Sequence, residues 1–161
     1  MPFKCHPVDA DFLDKAPWRF VNSAELDWGA ERVFAVLADA PSWPRWYPGM
    51  VQVDWTTPKP FGVGSRRTVK LAQLTVYERF FRWEPGRRFS FDFEAASLPF
   101  FRSAAEDCLL EPIGENRCRF TYTVAIEPSF VLTLTSPVMR KTMGDSFKQG
   151  VVGLQRFCAT P

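Results

Sequence analysis

A chain of 161 residues is the size of one domain, and at that length roughly two thirds of the unfolded surface can be buried around a single core. Twenty Lys and Arg stand against 18 Asp and Glu, a formal net charge of +2 with both signs spread along the chain, which leaves no basic stripe for phosphates and argues against nucleic acid as partner. Aromatic residues make up 16% of the chain, with 16 Phe and 6 Trp, more than a small core needs, so either the core is unusually aromatic or flat rings line a cavity.

In chain order, Lys4 and His6 are followed at once by Asp9, Asp11 and Asp14. No apolar run reaches the length of a signal peptide or membrane span, which predicts a cytoplasmic protein. Residues 1–19, with Phe12 and Trp18, read as an arm, either a lid over a cavity or a loosely packed terminus. Phe20 to Leu26 alternates as a first strand, and Asp27 stands where it can cap a helix placing Val33, Phe34 and Leu37 on one side, ended by Ala40-Pro41. Ser42 to Tyr47 reads as a second short helix, stopped by Pro48-Gly49.

Met50 to Trp55 then alternates Val51, Val53 and Trp55 as a strand, and Thr56 to Gly64 is a Pro- and Gly-rich loop. Arg66 to Leu71, Leu74 to Trp83, Arg88 to Ala95, Ser103 to Leu110 and Arg117 to Ile126 complete the strands. Glu84-Pro85-Gly86 and Ile113-Gly114-Glu115-Asn116 carry turn chemistry at hairpin spacing, so the flanking strands pair antiparallel. Ser136-Pro137 opens a last helix reaching about Phe157. Its apolar residues Met139, Met143, Phe147, Gly150, Val151, Leu154 and Cys158 fall on one face, which calls for a sheet curved around that stripe. The hairpin turn sets Cys108 and Cys118 on different rungs, so with Cys5 and Cys158 they are expected to remain free thiols.

The order of elements and four motifs now converge. Ala30-Glu31-Arg32-Val33-Phe34-Ala35-Val36-Leu37-Ala38-Asp39, followed by Trp43-Pro44-Arg45-Trp46-Tyr47-Pro48-Gly49, resembles the SRPBCC superfamily, the START and birch-pollen-allergen-like helix-grip fold, and in particular its polyketide cyclase/dehydrase branch. Gly62-Val63-Gly64-Ser65-Arg66-Arg67, then Tyr77-Glu78-Arg79 with Trp83-Glu84-Pro85-Gly86-Arg87-Arg88-Phe89, continue the likeness in order over about residues 20 to 158. The resemblance implies an α+β helix-grip fold: a seven-stranded curved antiparallel sheet around the long C-terminal helix, with two short helices between strands 1 and 2, residues 20–161 forming one domain. Members of such a family include hydrophobic-ligand carriers, aromatic polyketide cyclases and hormone receptors, so the fold alone does not select an activity.

Everything then turns on the gap between sheet and helix. Phe89, Phe91 and Phe93 share one face of their strand, as Phe120 and Tyr122 do of theirs, and Met139, Met143 and Phe147 face them from the helix. Trp43, Trp46 and Tyr47 are expected at one end of the cavity, their polar atoms free to meet a ligand. If the turn pairs Phe80 with Phe91, Glu78 faces inward and Arg79 meets Asp92 outside; a slip of one residue would set Glu78 against Asp92, like charges opposed. An inward Glu78 among rings has a raised pKa and is the leading acid/base or ligand-anchoring candidate. Asp107 and Tyr122 are second candidates, read as orienting a carbonyl of a bound guest. His6 is the sole histidine and no Cys-x-x-Cys is present, which argues against a hydrolytic triad and a metal site; no cofactor is called for.

The leading expectation is therefore a binding module for a hydrophobic or aromatic small molecule such as a lipid, isoprenoid or polyketide. A polyketide cyclase or dehydratase using polar groups of the same cavity is the alternative. A partner-binding or homodimerising domain is the third reading, with Trp55 and Trp83 as its surface if they prove exposed together.

Overall fold

The computed structural model describes residues 1–161. Seven antiparallel strands run in the order β2-β8-β7-β6-β5-β4-β3. They are β2 (Trp18–Leu26), β3 (Met50–Trp55), β4 (Arg66–Leu71), β5 (Thr75–Glu84), β6 (Arg88–Ala96), β7 (Phe101–Pro112) and β8 (Cys118–Pro128). Between β2 and β3 lie α2 (Ala30–Ala38), a 3-10 turn over Ala40–Ser42 and α3 (Trp43–Trp46). After β8 come a short α4 (Phe130–Leu134) and the long α5 (Ser136–Phe157). No helix is long and apolar enough to cross a membrane.

The hairpin turns fix the register. Gly86 sits at φ 74° in the β5–β6 turn, a left-handed backbone that a side chain disfavours. From it Phe80 opposes Phe91 and Arg79 opposes Asp92, the register in which no two acids face one another. The ladder shifts between Phe80 and Arg82, so Phe80 and Trp83 both turn into the concave side while Phe81 goes to the convex one. The inward rows of all seven strands meet the apolar stripe of α5 in one core. The helix lies very close to α3: a Cβ on Gly150 would stand 2.5 Å from the Tyr47 ring, and one on Gly153 would collide with the Trp46 carbonyl. Glycine is what permits that approach.

The N-terminal arm is neither loose nor a lid. A two-residue strand β1 (Phe3–Lys4) pairs with β6 at Ala95 and Ala96. The ladder between β6 and β7 ends at Asp92 opposite Ala105, and the arm fills the gap beyond: Cys5 N–H donates to the Glu94 carbonyl at 2.9 Å and His6 N–H to the Arg102 carbonyl at 2.8 Å. A one-turn helix α1 (Phe12–Lys15) then lays Leu13 against Ala105 and Ala125 on the convex face, with Val8, Phe12, Ala16 and Phe81 around them. The sequence concealed this because the arm's apolar residues are too few to show a period. It also gave no separate sign of α4, which is five residues long.

Candidate functional site

Sheet, α3 and α5 leave a partly open cavity of about 150 Å³, with 14 hydrophobic residues among the 18 that line it. Of the residues singled out from sequence as ligand contacts, Trp43, Tyr47, Phe93, Tyr122, Met143 and Phe147 line it. Phe89 and Phe91 face the same way but are consumed as core, fully buried against Phe80 and Trp83. Trp46 and Phe120 sit one layer further along, around a void too small for a water, and Met139 packs on the core without reaching the cavity. The expectation that the indole nitrogens reach a ligand is corrected as well. Trp43 Nε1 donates to the Leu37 carbonyl at 2.8 Å and Trp46 Nε1 to Ser42 Oγ at 3.4 Å, so both are spent on anchoring α3. The cavity's half-exposed residues are Met50, Leu71, Leu74, Met143, Ser146 and Phe147. They mark its mouth, between α5 and the β3–β5 edge of the sheet.

The polar end of the cavity is built from four strands. Arg67 of β4 opposes Glu78 of β5, and Phe91 of β6 opposes Glu106 of β7. Both partners of each pair therefore face the same way, inward. Arg67 Nε donates to Glu78 Oε2 at 2.7 Å, with the two side chains 1% and 5% exposed. Four rings enclose the guanidinium, Trp43 at 4.6 Å, Phe80 and Phe91 at 5.2 Å and Trp55 at 5.5 Å. They favour a cation there. Its Nη1 is buried and has no hydrogen-bond partner. Beside it, the Tyr122 hydroxyl donates to Glu106 Oε2 at 2.8 Å, and Tyr47 stands edge-on to Tyr122.

One guanidinium thus serves two buried carboxyls. Burial raises Glu78 above the usual carboxylate range, against the pull of Arg67. Glu106 is pushed up to about 8, first by burial and then by the charge of Glu78, the Tyr122 hydrogen bond and Arg67 opposing. The hydroxyls of Tyr47 and Tyr122 are raised too, chiefly by burial and then by Glu106. Both carboxyls are thus raised; Glu78 has the direct contact with Arg67 and Glu106 has only the Tyr122 hydroxyl, so Glu106 is held as a carboxylic acid beside the cavity at neutral pH.

Asp107, read from sequence as Tyr122's companion, faces the other way. It opposes Ser90 on the convex side, where Arg88 donates to it at 2.9 and 3.0 Å and Ser90 Oγ at 2.6 Å. The residue that meets Tyr122 is its neighbour Glu106. Strand parity decides between two adjacent acids, and parity depends on a register the β6–β7 connection does not announce. Arg67 and Glu106 are the site residues sequence reasoning missed. The signal for Arg67 was the row Arg67, Val69, Leu71 at period two, which puts the arginine among cavity-facing apolar side chains. Trp55 and Trp83 are both half-buried and stand edge-to-face with centroids 5.9 Å apart in a cluster with Phe80. They form no joint exposed surface. Arg102 is 62% exposed and lies 3.7 Å from Glu127.

The curled sheet closed by a long C-terminal helix defines the START/birch-pollen-allergen-like helix-grip class. Residues 17–158 match the family model described as polyketide cyclase / dehydrase and lipid transport, and the chain belongs to that family. It is 37% identical over 124 residues to uncharacterized proteins of Mycobacterium tuberculosis and Mycobacterium bovis, covering 76% of this chain and 74% of each relative. Among solved structures, it is similar to a START superfamily protein from Mycobacterium smegmatis (TM-score 0.74, 12% identity, 88% of this chain and 97% of that one). It also resembles the di-domain ARO/CYC BexL from the BE-7585A biosynthetic pathway, with TM-score 0.70 and 16% identity over 86% of this chain and 45% of that one. Ginseng major latex-like protein 151 from Panax ginseng gives TM-score 0.70 and 12% identity over 88% of this chain and 97% of that one.

Proposed function

We propose that this chain binds a hydrophobic small molecule with a ring at its buried end, held between sheet and α5 with a polar atom against Arg67. The observation that carries the reading is the cavity itself: apolar walls, one polar end and a mouth marked by half-exposed apolar side chains. Burial supplies the affinity at about 25 cal/mol per Å² of apolar surface. A volume of about 150 Å³ is that of a benzene-binding cavity, so it takes one ring and a short substituent, and a longer lipid, isoprenoid or polyketide tail leaves through the mouth. The arrangement of cysteines agrees with a reducing, cytoplasmic setting: all four are free and buried.

A second reading, acid/base chemistry of the cyclase or dehydratase kind on the bound guest, is supported by Glu106. A carboxyl whose pKa lies at about 8 holds its proton at neutral pH and can deliver it to a carbonyl oxygen, with the Arg67-paired Glu78 beside it as the second carboxyl. Both readings place the guest's oxygen at the same end of the cavity.

Native mass spectrometry of the protein as purified, set beside its denatured mass, tests the binding reading. A non-covalent adduct supports it and identifies the guest. With no adduct, and no uptake of a fluorescent apolar probe by the same preparation, the reading is withdrawn. Glu78→Gln separates the two functions: unchanged guest binding with lost turnover of that guest supports chemistry, and unchanged turnover removes Glu78 from it.

A further inference from the structure

Two carboxyls, one guanidinium and an unsatisfied donor make a cavity end with a definite preference for what it meets. The groups that face Glu106 are few and all identified: Glu78 from β5, Arg67 from β4, Tyr122 from β8, Tyr47 at the end of α3 and Cys108 on its own strand. From α5 the cavity receives Met143, Ser146 and Phe147, none of which carries charge. Arg67 is therefore the only cation at the site, and Glu78 already occupies its Nε at 2.7 Å.

We infer that the cavity selects guests whose buried end is an uncharged acceptor, a ketone, aldehyde or amide oxygen, and rejects carboxylates of the same shape. The inference rests on the binding reading above and names the class of guest. A guest's uncharged oxygen that draws the buried, unpartnered Arg67 Nη1 toward the cavity adds no charge to the set. A carboxylate offered to the same nitrogen competes with Glu78 for the one guanidinium, with no second cation to receive it, at the buried end of the cavity. Glu106 adds to the preference. Its Oε2 accepts from Tyr122, and while it is protonated its hydroxyl is a second donor for the guest. Once ionised, the same residue faces the guest's oxygen as an anion.

The test uses protein labelled with [methyl-¹³C]methionine. There are four methionines, and Met50 and Met143 line the cavity while Met1 and Met139 do not, so the label reports site occupancy with internal controls. Three planar isosteres are titrated: acetophenone, benzoate and α-methylstyrene. At pH 6.5 acetophenone is expected to shift Met50 and Met143 with a Kd at least about tenfold below that of benzoate, the factor expected for one uncompensated charge contact. At pH 9, one unit above the Glu106 value of about 8, only about a tenth of the protein retains the proton, so the acetophenone Kd rises about tenfold. The α-methylstyrene Kd stays within about twofold, having no oxygen to repel. Glu106→Gln is expected to flatten the acetophenone profile. Benzoate binding as tightly as acetophenone, or an acetophenone affinity independent of pH in the wild type, overturns the inference while the cavity stands. If none of the three moves Met50 or Met143, the binding reading falls and takes the inference with it.

Discussion

The two faces of this one sheet solve the burial of charge in opposite ways. On the convex side the acids are over-provided with cations. Asp92 is met by Arg79 at 3.1 Å, and Asp107 by Arg88 at 2.9 Å with Arg82 at 3.6 Å. There the arm itself contributes, Val8 N–H donating to Asp92 Oδ2 at 3.2 Å. On the concave side Glu78 and Glu106 share Arg67 alone. A carboxyl with its own cation and donors is scaffold; of two carboxyls that share one cation, one holds its proton. The difference locates the site more sharply than the abundance of rings, which occur through the whole core.

The largest break in the comparison comes from removing the shared cation. Arg67→Met leaves Glu78 buried and unpaired and is expected to cost about 3–5 kcal/mol, whereas Arg79→Met takes a 34% exposed arginine from Asp92, which is 1% exposed but keeps the Val8 N–H, and costs less, about 1–3 kcal/mol. Urea denaturation of both variants checks the contrast. Adding Glu78→Leu to Arg67→Met recovers much of the loss if charge rather than shape is responsible. Next in size is the arm. Leu13 is 4% exposed against Ala105 and Ala125, and Leu13→Ala is expected to cost about 2 kcal/mol. Because this change lies on the convex face, acetophenone should still shift Met50 and Met143 with unchanged Kd below the new unfolding midpoint. A changed Kd would show the two faces to be coupled.

How much of this was legible in the sequence follows the same division. The C-terminal helix was readable to its bounds from Pro137 and the apolar stripe, because a proline in the first turn and a 3.6-residue period are local signals, although the N-cap is Thr135 rather than Ser136 and makes no side-chain cap bond. The Phe80–Phe91 register was readable because the wrong alternative opposes two acids across a short turn. Of the residues that line the cavity, Phe93 and Tyr122 were expected from strand alternation, Met143 and Phe147 from the helical stripe, and Trp43 and Tyr47 from the short-helix motif. Glu106 was not, since Glu106 and Asp107 are adjacent acids that local sequence cannot assign to faces. Arg67 was legible in the row Arg67, Val69, Leu71 but was passed over beside Arg66: one of the two is 51% exposed against Glu94, the other buried against Glu78. The arm lay beyond reach because its few apolar residues gain meaning only from the convex surface that awaits them.

The finest test of the contrast is the pH dependence of stability. Glu106 has an ordinary carboxyl value of 4.5 and is raised to about 8 in the fold. Between these limits the folded protein keeps a proton that the unfolded chain has released. The stability contributed by this group is therefore fully present below the unfolded value and is lost as pH rises through the folded one, at a slope of up to about 1.4 kcal/mol per pH unit for one proton. Glu106→Gln keeps the shape and the oxygen that accepts from Tyr122 but has no proton to lose. Urea midpoints measured from pH 5 to pH 9 should fall in the wild type and fall less in the variant, which becomes the more stable of the two at the alkaline end. Arg79→Met, on the other face, should leave the slope as it is in the wild type. Parallel curves for wild type and Glu106→Gln would mean that Glu106 is ionised in the folded state and that the concave face finds a second positive partner for it.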